Sequence, residues 1–202
     1  MTTTFLSTHT LAENLWPRGE KTTAQRIVRG VLLAFVGSLL IAVSSKIQVP
    51  FYPVPLNMAT FAVLAIGMAY GPRLGLATIL LYMAEGASGL PVFAGAPEKG
   101  IGLAYMSGPT GGYLLGFVFA TGICGWAATR GWDRSIWKTA VAMLAANVAI
   151  YVPGLLWLGT LLGWEKPILD WGLYPFVLGD LTKLALASVS LPLIWRVLGR
   201  KS

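Results

Sequence analysis

Residues 139–163, TAVAMLAANVAIYVPGLLWLGTLLG, run for 25 positions without a charged side chain. About 20 consecutive apolar residues are enough to cross the hydrocarbon core of a bilayer as a helix, so this stretch predicts a transmembrane span. The whole chain agrees with it. Of 202 residues, 55% are apolar and only 11% charged, whereas about a quarter of a soluble domain is charged. The mean hydropathy is +0.68. These values exclude an ordinary cytosolic enzyme and a disordered chain. Cys124 is the single cysteine, which excludes a scaffold of internal disulfides. His9, the single histidine, argues against a zinc site or a histidine proton relay.

Further spans are expected on both sides of this stretch, at about residues 27–45, 56–70, 74–85, 113–129 and 174–198. The expected fold is therefore an all-α membrane protein, a bundle of six transmembrane helices. Residues 1–25 read as a polar cytoplasmic tail, since they lack the apolar core of a signal peptide. Residues 26–202 read as one substrate-binding membrane domain. Pro50, Pro53 and Pro55 break the chain after the first span, and Gly71-Pro72-Arg73 turns it between the second and third. No internal repeat of helix length is visible. Residues 87–112 are apolar yet too rich in glycine and proline for regular helix. Irregular backbone at membrane depth must be buried by protein or line a cavity, so Gly89, Pro91, Phe93 and Gly95 read as a lid over a site. A surface loop is the plainer alternative.

The net charge is +7, but the basic residues sit at the edges of apolar blocks and form no stripe interleaved with aromatics. Nucleic acid is not an expected partner; the lipid bilayer is. With a cytoplasmic amino terminus, eleven basic residues fall inside and three, Lys46, Lys99 and Lys166, outside. That asymmetry predicts both termini in the cytoplasm and gathers the proline-rich connection, the lid and the loop at 164–171 on the outer face.

Charges within spans cost several kcal/mol and need a partner or a task. Asp180 and Lys183, three apart on the last span, share one helix face. They read either as a self-contained ion pair or as a site in which Lys183 meets an anion and Asp180 accepts ligand N–H groups. Glu85 reads as reaching the interface. Asn147 reads as an interhelical hydrogen-bonding group or as pocket lining. Tyr82, Phe93, Tyr113 and Tyr151 are candidate pocket walls or simple packing, and Gln48 and Asn57 face a ligand or cap backbone. On the first span, Gly30, Ala34, Ser38 and Ala42 recur every fourth residue. This smooth face suits close helix approach, either within the chain or to a partner subunit. The terminal Gly199-Arg200-Lys201-Ser202 has no following helix to hold phosphate. With no nucleophile–base pair and no metal cluster, the expectation is a protein without catalytic residues, cofactor or metal.

Several motifs in order resemble one family: Val54-Pro55, Thr60-Phe61-Ala62-Val63-Leu64, Gly71-Pro72-Arg73-Leu74-Gly75, Leu81-Tyr82, residues 89–95, Gly108-Pro109-Thr110-Gly111-Gly112-Tyr113-Leu114, and Tyr174-Pro175-Phe176 followed by Gly179-Asp180 and Lys183. The chain is similar to the biotin-binding S components, the BioY family, of energy-coupling factor (ECF) transporters. The resemblance implies six membrane helices in a prokaryotic cell membrane and capture of biotin from outside. It also implies assembly with a transmembrane coupling (T) protein and cytosolic ATPase subunits. It gives Asp180 and Lys183 the role of polar ligand-binding pair, residues 89–95 that of the closing loop, and Gly30, Ala34, Ser38 and Ala42 that of docking surface. An S component for another small vitamin and a stand-alone secondary carrier are the competing readings.

Overall fold

The computed structural model describes residues 10–15, 22–49 and 52–199. Most of the expected tail, Pro50 and the last three residues lie outside the described residues. The elements are, in order, α1 (Leu11–Leu15), α2 (Thr23–Lys46), a two-stranded antiparallel ribbon of β1 (Gln48–Val49) and β2 (Leu56–Asn57), α3 (Ala59–Ala87), α4 (Gly102–Met106) and α5 (Gly111–Thr129). A single 3-10 turn at Trp132–Arg134 leads into α6 (Ile136–Leu162), then α7 (Ile168–Gly172) and α8 (Tyr174–Gly199). Helix α3 packs on α2 and α5, α5 on α6, and α6 on α8. Among the described residues, five helices are long and apolar enough to cross a membrane: Thr23–Lys46, Ala59–Ala87, Gly111–Thr129, Ile136–Leu162 and Ile168–Val197.

Helix α2 begins at a capping box. The Thr22 hydroxyl accepts from the Gln25 amide and the Gln25 side chain accepts from the Thr22 amide, both at 3.3 Å, which satisfies two otherwise orphaned donors. Its outward face carries Val31, Leu32, Phe35, Leu39 and Val43, all exposed, as lipid contact would require.

The second and third expected spans meet in one hydrogen-bonded element, α3, which starts at Ala59 rather than at Leu56 because Leu56 and Asn57 pair in the ribbon. The element reverses at Gly71, whose φ of 77° and ψ of 178° are not helical. A side chain there is strained at positive φ and would also meet the Thr10 methyl at 2.9 Å. Pro72 then starts the second arm without an amide to satisfy. The two arms touch through glycine, since a Cβ on Gly75 would lie 3.5 Å from the Gly67 Cα. Helix α5 seats on both: a Cβ on Gly67 would meet the Cys124 Cβ at 2.9 Å, and one on Gly125 would meet the Pro72 nitrogen at 2.5 Å. Cys124 is fully buried at this seam.

Helix α1 lies within the stretch read as tail, yet Leu11 and Ala12 are buried. The Arg29 guanidinium donates to the Ala12 carbonyl at 3.1 Å, fixing α1 beside α2. At the α5–α6 turn, buried Asp133 accepts from the Trp195 indole at 2.6 Å while Arg134 stacks 4.3 Å above that ring. Burial pushes the Asp133 carboxyl above its usual range, against the opposing pull of Trp195 and Arg134. This contact ties the end of α8 back to the bundle.

Candidate ligand-binding site

Asp180 and Lys183 lie one turn apart in α8 and form an ion pair at 3.0 Å, with side chains 9% and 16% exposed. An ammonium offers three donors, and Lys183 uses all of them. It donates to the Asp180 carboxylate, to the Asn57 carbonyl at 2.7 Å and to the Thr60 hydroxyl at 2.9 Å. The second oxygen of Asp180 accepts from the Tyr151 hydroxyl on α6. The buried pair is thus fully hydrogen-bonded, the condition under which its desolvation is tolerable. It draws on three separate parts of the chain: the ribbon with the start of α3, then α6, then α8.

The Asn57 side chain is hydrogen-bonded to backbone on both of its polar atoms. Its oxygen accepts from the Ala59 amide at 2.8 Å and its nitrogen donates to the Pro55 carbonyl at 3.3 Å, so it caps the start of α3 and leaves its carbonyl to Lys183. Gln48 pairs with Asn57 across the ribbon. The Gln48 side-chain oxygen is buried with no hydrogen-bond partner among the described residues. It lines a cavity of about 280 Å³ together with Ile47, Leu56, Asn57, Met58, Phe176, Gly179 and Lys183. Buried polar atoms are normally paired, which sets this acceptor, beside the Lys183 ammonium, apart from the apolar residues of the wall.

Aromatic rings continue from the pair. Tyr151 packs edge-on against Phe176 at 6.5 Å and against Tyr113 at 6.2 Å. The Tyr113 hydroxyl is spent on the Gly172 carbonyl at 2.8 Å, which makes this ring a structural prop. Asn147 lies one turn from Tyr151 on the same face of α6. It is buried, and its side-chain oxygen is also without a partner among the described residues.

Tyr82 and Phe93 are not part of this cluster. Neither lines the cavity beside Lys183. They belong to a separate stack in which Phe93 lies 5.4 Å from Tyr82, edge-on, and 4.9 Å from Tyr105, face to face. Phe93 fills the space left by Gly86, where a Cβ would lie 2.0 Å from the ring. The loop of residues 89–95 is drawn down by four side chains. Ser45 and Tyr82 donate to the Val92 carbonyl at 2.6 and 3.2 Å, Tyr105 to Ala94 at 2.6 Å, and Lys46 to Phe93 and Ala96 at 2.9 and 2.8 Å. Gly89 and Gly95 hold positive φ, Gly95 is buried, and Pro91 stays exposed.

Lys46 was expected only as a flanking charge; the structure makes it the latch between the end of α2 and the loop. Lys46→Met should remove two charge-assisted bonds. Amide exchange of residues 92–96 is then expected to rise about 30-fold or more, one to two kcal/mol for each of the two bonds being the usual scale. Unchanged exchange would show that the loop is held by its aromatic stack alone.

The Glu85 carboxylate lies 3.0 Å from the Ser38 hydroxyl and so joins α3 to α2. The small-residue stripe is not an open surface: Ala34 and Ser38 are 7% and 1% exposed, and Gly30 and Ala42 are half-buried. Ser38 meets Glu85 of α3, which is the packing alternative, whereas nothing lies within 4 Å of a would-be Cβ on Gly30. Thr60, Phe176 and Lys46 were not singled out as site residues. Their positions depend on the reversal at Gly71, on the ribbon and on the loop path, none of which spacing along one helix reveals.

Apolar helices around a buried, fully hydrogen-bonded charge pair, with a compact cavity beside it, define a membrane-embedded protein that holds a small polar solute. The chain belongs to the BioY family, whose model matches residues 14–200. It is 38% identical over 150 residues to the probable biotin transporter BioY of Pyrococcus horikoshii, covering 74% of this chain and 86% of that one. It is 32% identical over 162 residues to the biotin transporter BioY of Thermotoga maritima, covering 80% and 93%. The structure is similar to the crystal structure of the S-component for biotin from an ECF-type ABC transporter, with a TM-score of 0.69 and 22% identity over 88% of this chain and 95% of that one. At that identity the likeness speaks for the fold.

Proposed function

We infer that this chain captures biotin and takes it up as the S component of an ECF-type transporter, a multi-pass protein of the prokaryotic cell membrane and not an enzyme. The observation that carries the reading is Lys183, buried, paired with Asp180 and bordering the 280 Å³ cavity. A cavity at the small end of the usual range for ligand sites suits a compact solute. Biotin has three kinds of surface, and each has a counterpart here. The carboxylate suits Lys183, which can exchange the Asn57 carbonyl or the Thr60 hydroxyl for it while keeping Asp180. The ureido N–H groups suit Asp180 and the orphaned Gln48 oxygen. The apolar ring body suits Ile47, Leu56, Met58 and Phe176.

The two arms of α3 serve as separate crossings in this reading, giving six with α2, α5, α6 and α8. Both arms end on the side of the Lys183 site, and the Gly71 turn lies among basic residues at the other. The Lys and Arg asymmetry then sets both termini in the cytoplasm and the site at the outer face. The latched loop at 89–95 acts as its cover. Without a nucleotide-binding motif of its own, the chain depends on a coupling protein and ATPase partners for energy. With Ala34 and Ser38 covered by α3, the exposed apolar face of α2 is the part of that helix open to the coupling protein.

The test is selective retention. Detergent-purified protein is equilibrated with a mixture of vitamins, washed, and its bound ligand identified. Biotin at near one per chain is expected; another vitamin, or none, contradicts the assignment.

A further inference from the structure

At the Gly71 reversal of α3, the far end of both arms from the Lys183 site, is a second and larger cavity, of about 740 Å³, with Gly71 in its wall. A dozen helical residues separate Gly71 from Ala59, roughly 18 Å along the arm. Three arginines line this cavity, Arg26, Arg29 and Arg73. Arg26 and Arg29 share one face of α2, and Arg73 is brought to them by the left-handed turn at Gly71. Thr10 closes the wall. It is 5% exposed, and its hydroxyl has no hydrogen-bond partner among the described residues. One carboxylate, Glu13, is present and accepts from the Thr10 amide at 3.2 Å. Among the described residues of the lining, three arginines stand against one carboxylate. Leu33, Pro72 and Leu74 add an apolar side to it.

We propose that this cavity binds a phosphate-bearing anion, gripped by Arg26, Arg29 and Arg73, with the buried Thr10 hydroxyl donating to it. The planar guanidinium fork matches phosphate oxygens two at a time. A hydroxyl buried beside such a cluster without a partner is satisfied by the same oxygens. Basic pockets between membrane helices at the cytoplasmic side are suited to anionic headgroups, and the apolar side offers room for the glycerol and first methylenes of a lipid. Free phosphate has the same oxygens without that apolar part. The site shares no residue with the biotin site, and the inference does not depend on which vitamin the protein carries.

The experiment uses the full chain. Wild type and R26Q/R73Q are reconstituted with equal amounts of phosphatidylglycerol and phosphatidylcholine, and retained lipid is counted by native mass spectrometry. In a second arm, lipid-free protein in detergent is melted with and without inorganic phosphate. Wild type is expected to retain phosphatidylglycerol about tenfold over phosphatidylcholine, the ratio expected of one well-made charged contact, and R26Q/R73Q to lose that preference while still binding biotin. Stabilisation of wild type by inorganic phosphate, absent in the variant and without a lipid preference, supports the same site with a soluble ligand. Wild type with neither response overturns the proposal, whether or not the variant folds.

Discussion

Lys183→Ala is expected to weaken biotin binding by at least about 100-fold, roughly 2.7 kcal/mol. Three acceptors lose their donor at once: the Asp180 carboxylate, the Asn57 carbonyl and the Thr60 hydroxyl. Removing one member of a buried ion pair commonly costs about 3–5 kcal/mol, because the other charge is left uncompensated. The single variant will therefore lose thermal stability as well as affinity. The double variant D180N/K183M separates the two effects. Replacing both charges with neutral side chains of similar volume removes the stranded carboxylate, so melting should return close to wild type. Affinity for biotin should stay at least about 100-fold down. Recovery of both would mean that the pair only sets the rotation of α8. Titration calorimetry and a melting scan on the same preparations give both readings.

The second large effect concerns the fold. A Cβ on Gly125 would lie 2.5 Å from the Pro72 nitrogen, 2.6 Å from the Pro72 Cα and 2.7 Å from the Gly71 carbonyl carbon. All three neighbours are backbone atoms at the reversal of α3, so no side chain can swing aside. Either α5 lifts or the turn opens, and overpacking of this kind costs about 1–3 kcal/mol or more. Gly125→Ala is expected to lower the melting temperature sharply and to weaken biotin binding through the displaced arms of α3. Gly122, one turn earlier on the same helix, has nothing within 4 Å of its would-be Cβ. Gly122→Ala should be neutral or stabilising by up to about 1 kcal/mol, the ordinary helix preference of alanine over glycine. Equal melting temperatures for the two variants would contradict the seat of α5 on the Gly71–Pro72 turn.

Much of the architecture was legible because the bilayer imposes strict patterns. The uncharged stretch at 139–163 reads as a span without any tertiary knowledge, and Gly71-Pro72 reads as a turn from the chemistry of those two residues. The pairing of Asp180 with Lys183 follows from helical spacing alone. What spacing does not carry is which other segment meets a given face. The third and fourth ligands of the network, Asn57 and Tyr151, come from parts of the chain 126 and 29 residues away from their partners. The stripe of small residues on α2 predicts a close neighbour but not its identity, and here α3 fills that place through Ser38 and Glu85. Tyr82 and Phe93 read from the sequence as pocket walls or as simple packing. Gly86 draws Phe93 into a different stack, a contact that depends on where the loop folds back. Leu11 and Ala12 are the converse case: two apolar residues in a polar stretch are too weak a signal for a docked helix.

The central claim is that Lys183 receives the carboxylate of biotin, and a chemical and mutational cycle addresses it directly. Equilibrium affinities are measured for biotin and for its methyl ester, each with wild type and with Lys183→Met. The account predicts that esterification costs wild type about 100-fold and costs the variant little, a coupling of roughly 2.7 kcal/mol between the ammonium and the carboxylate. The same loss on esterification in both proteins, or no loss in wild type, would contradict it.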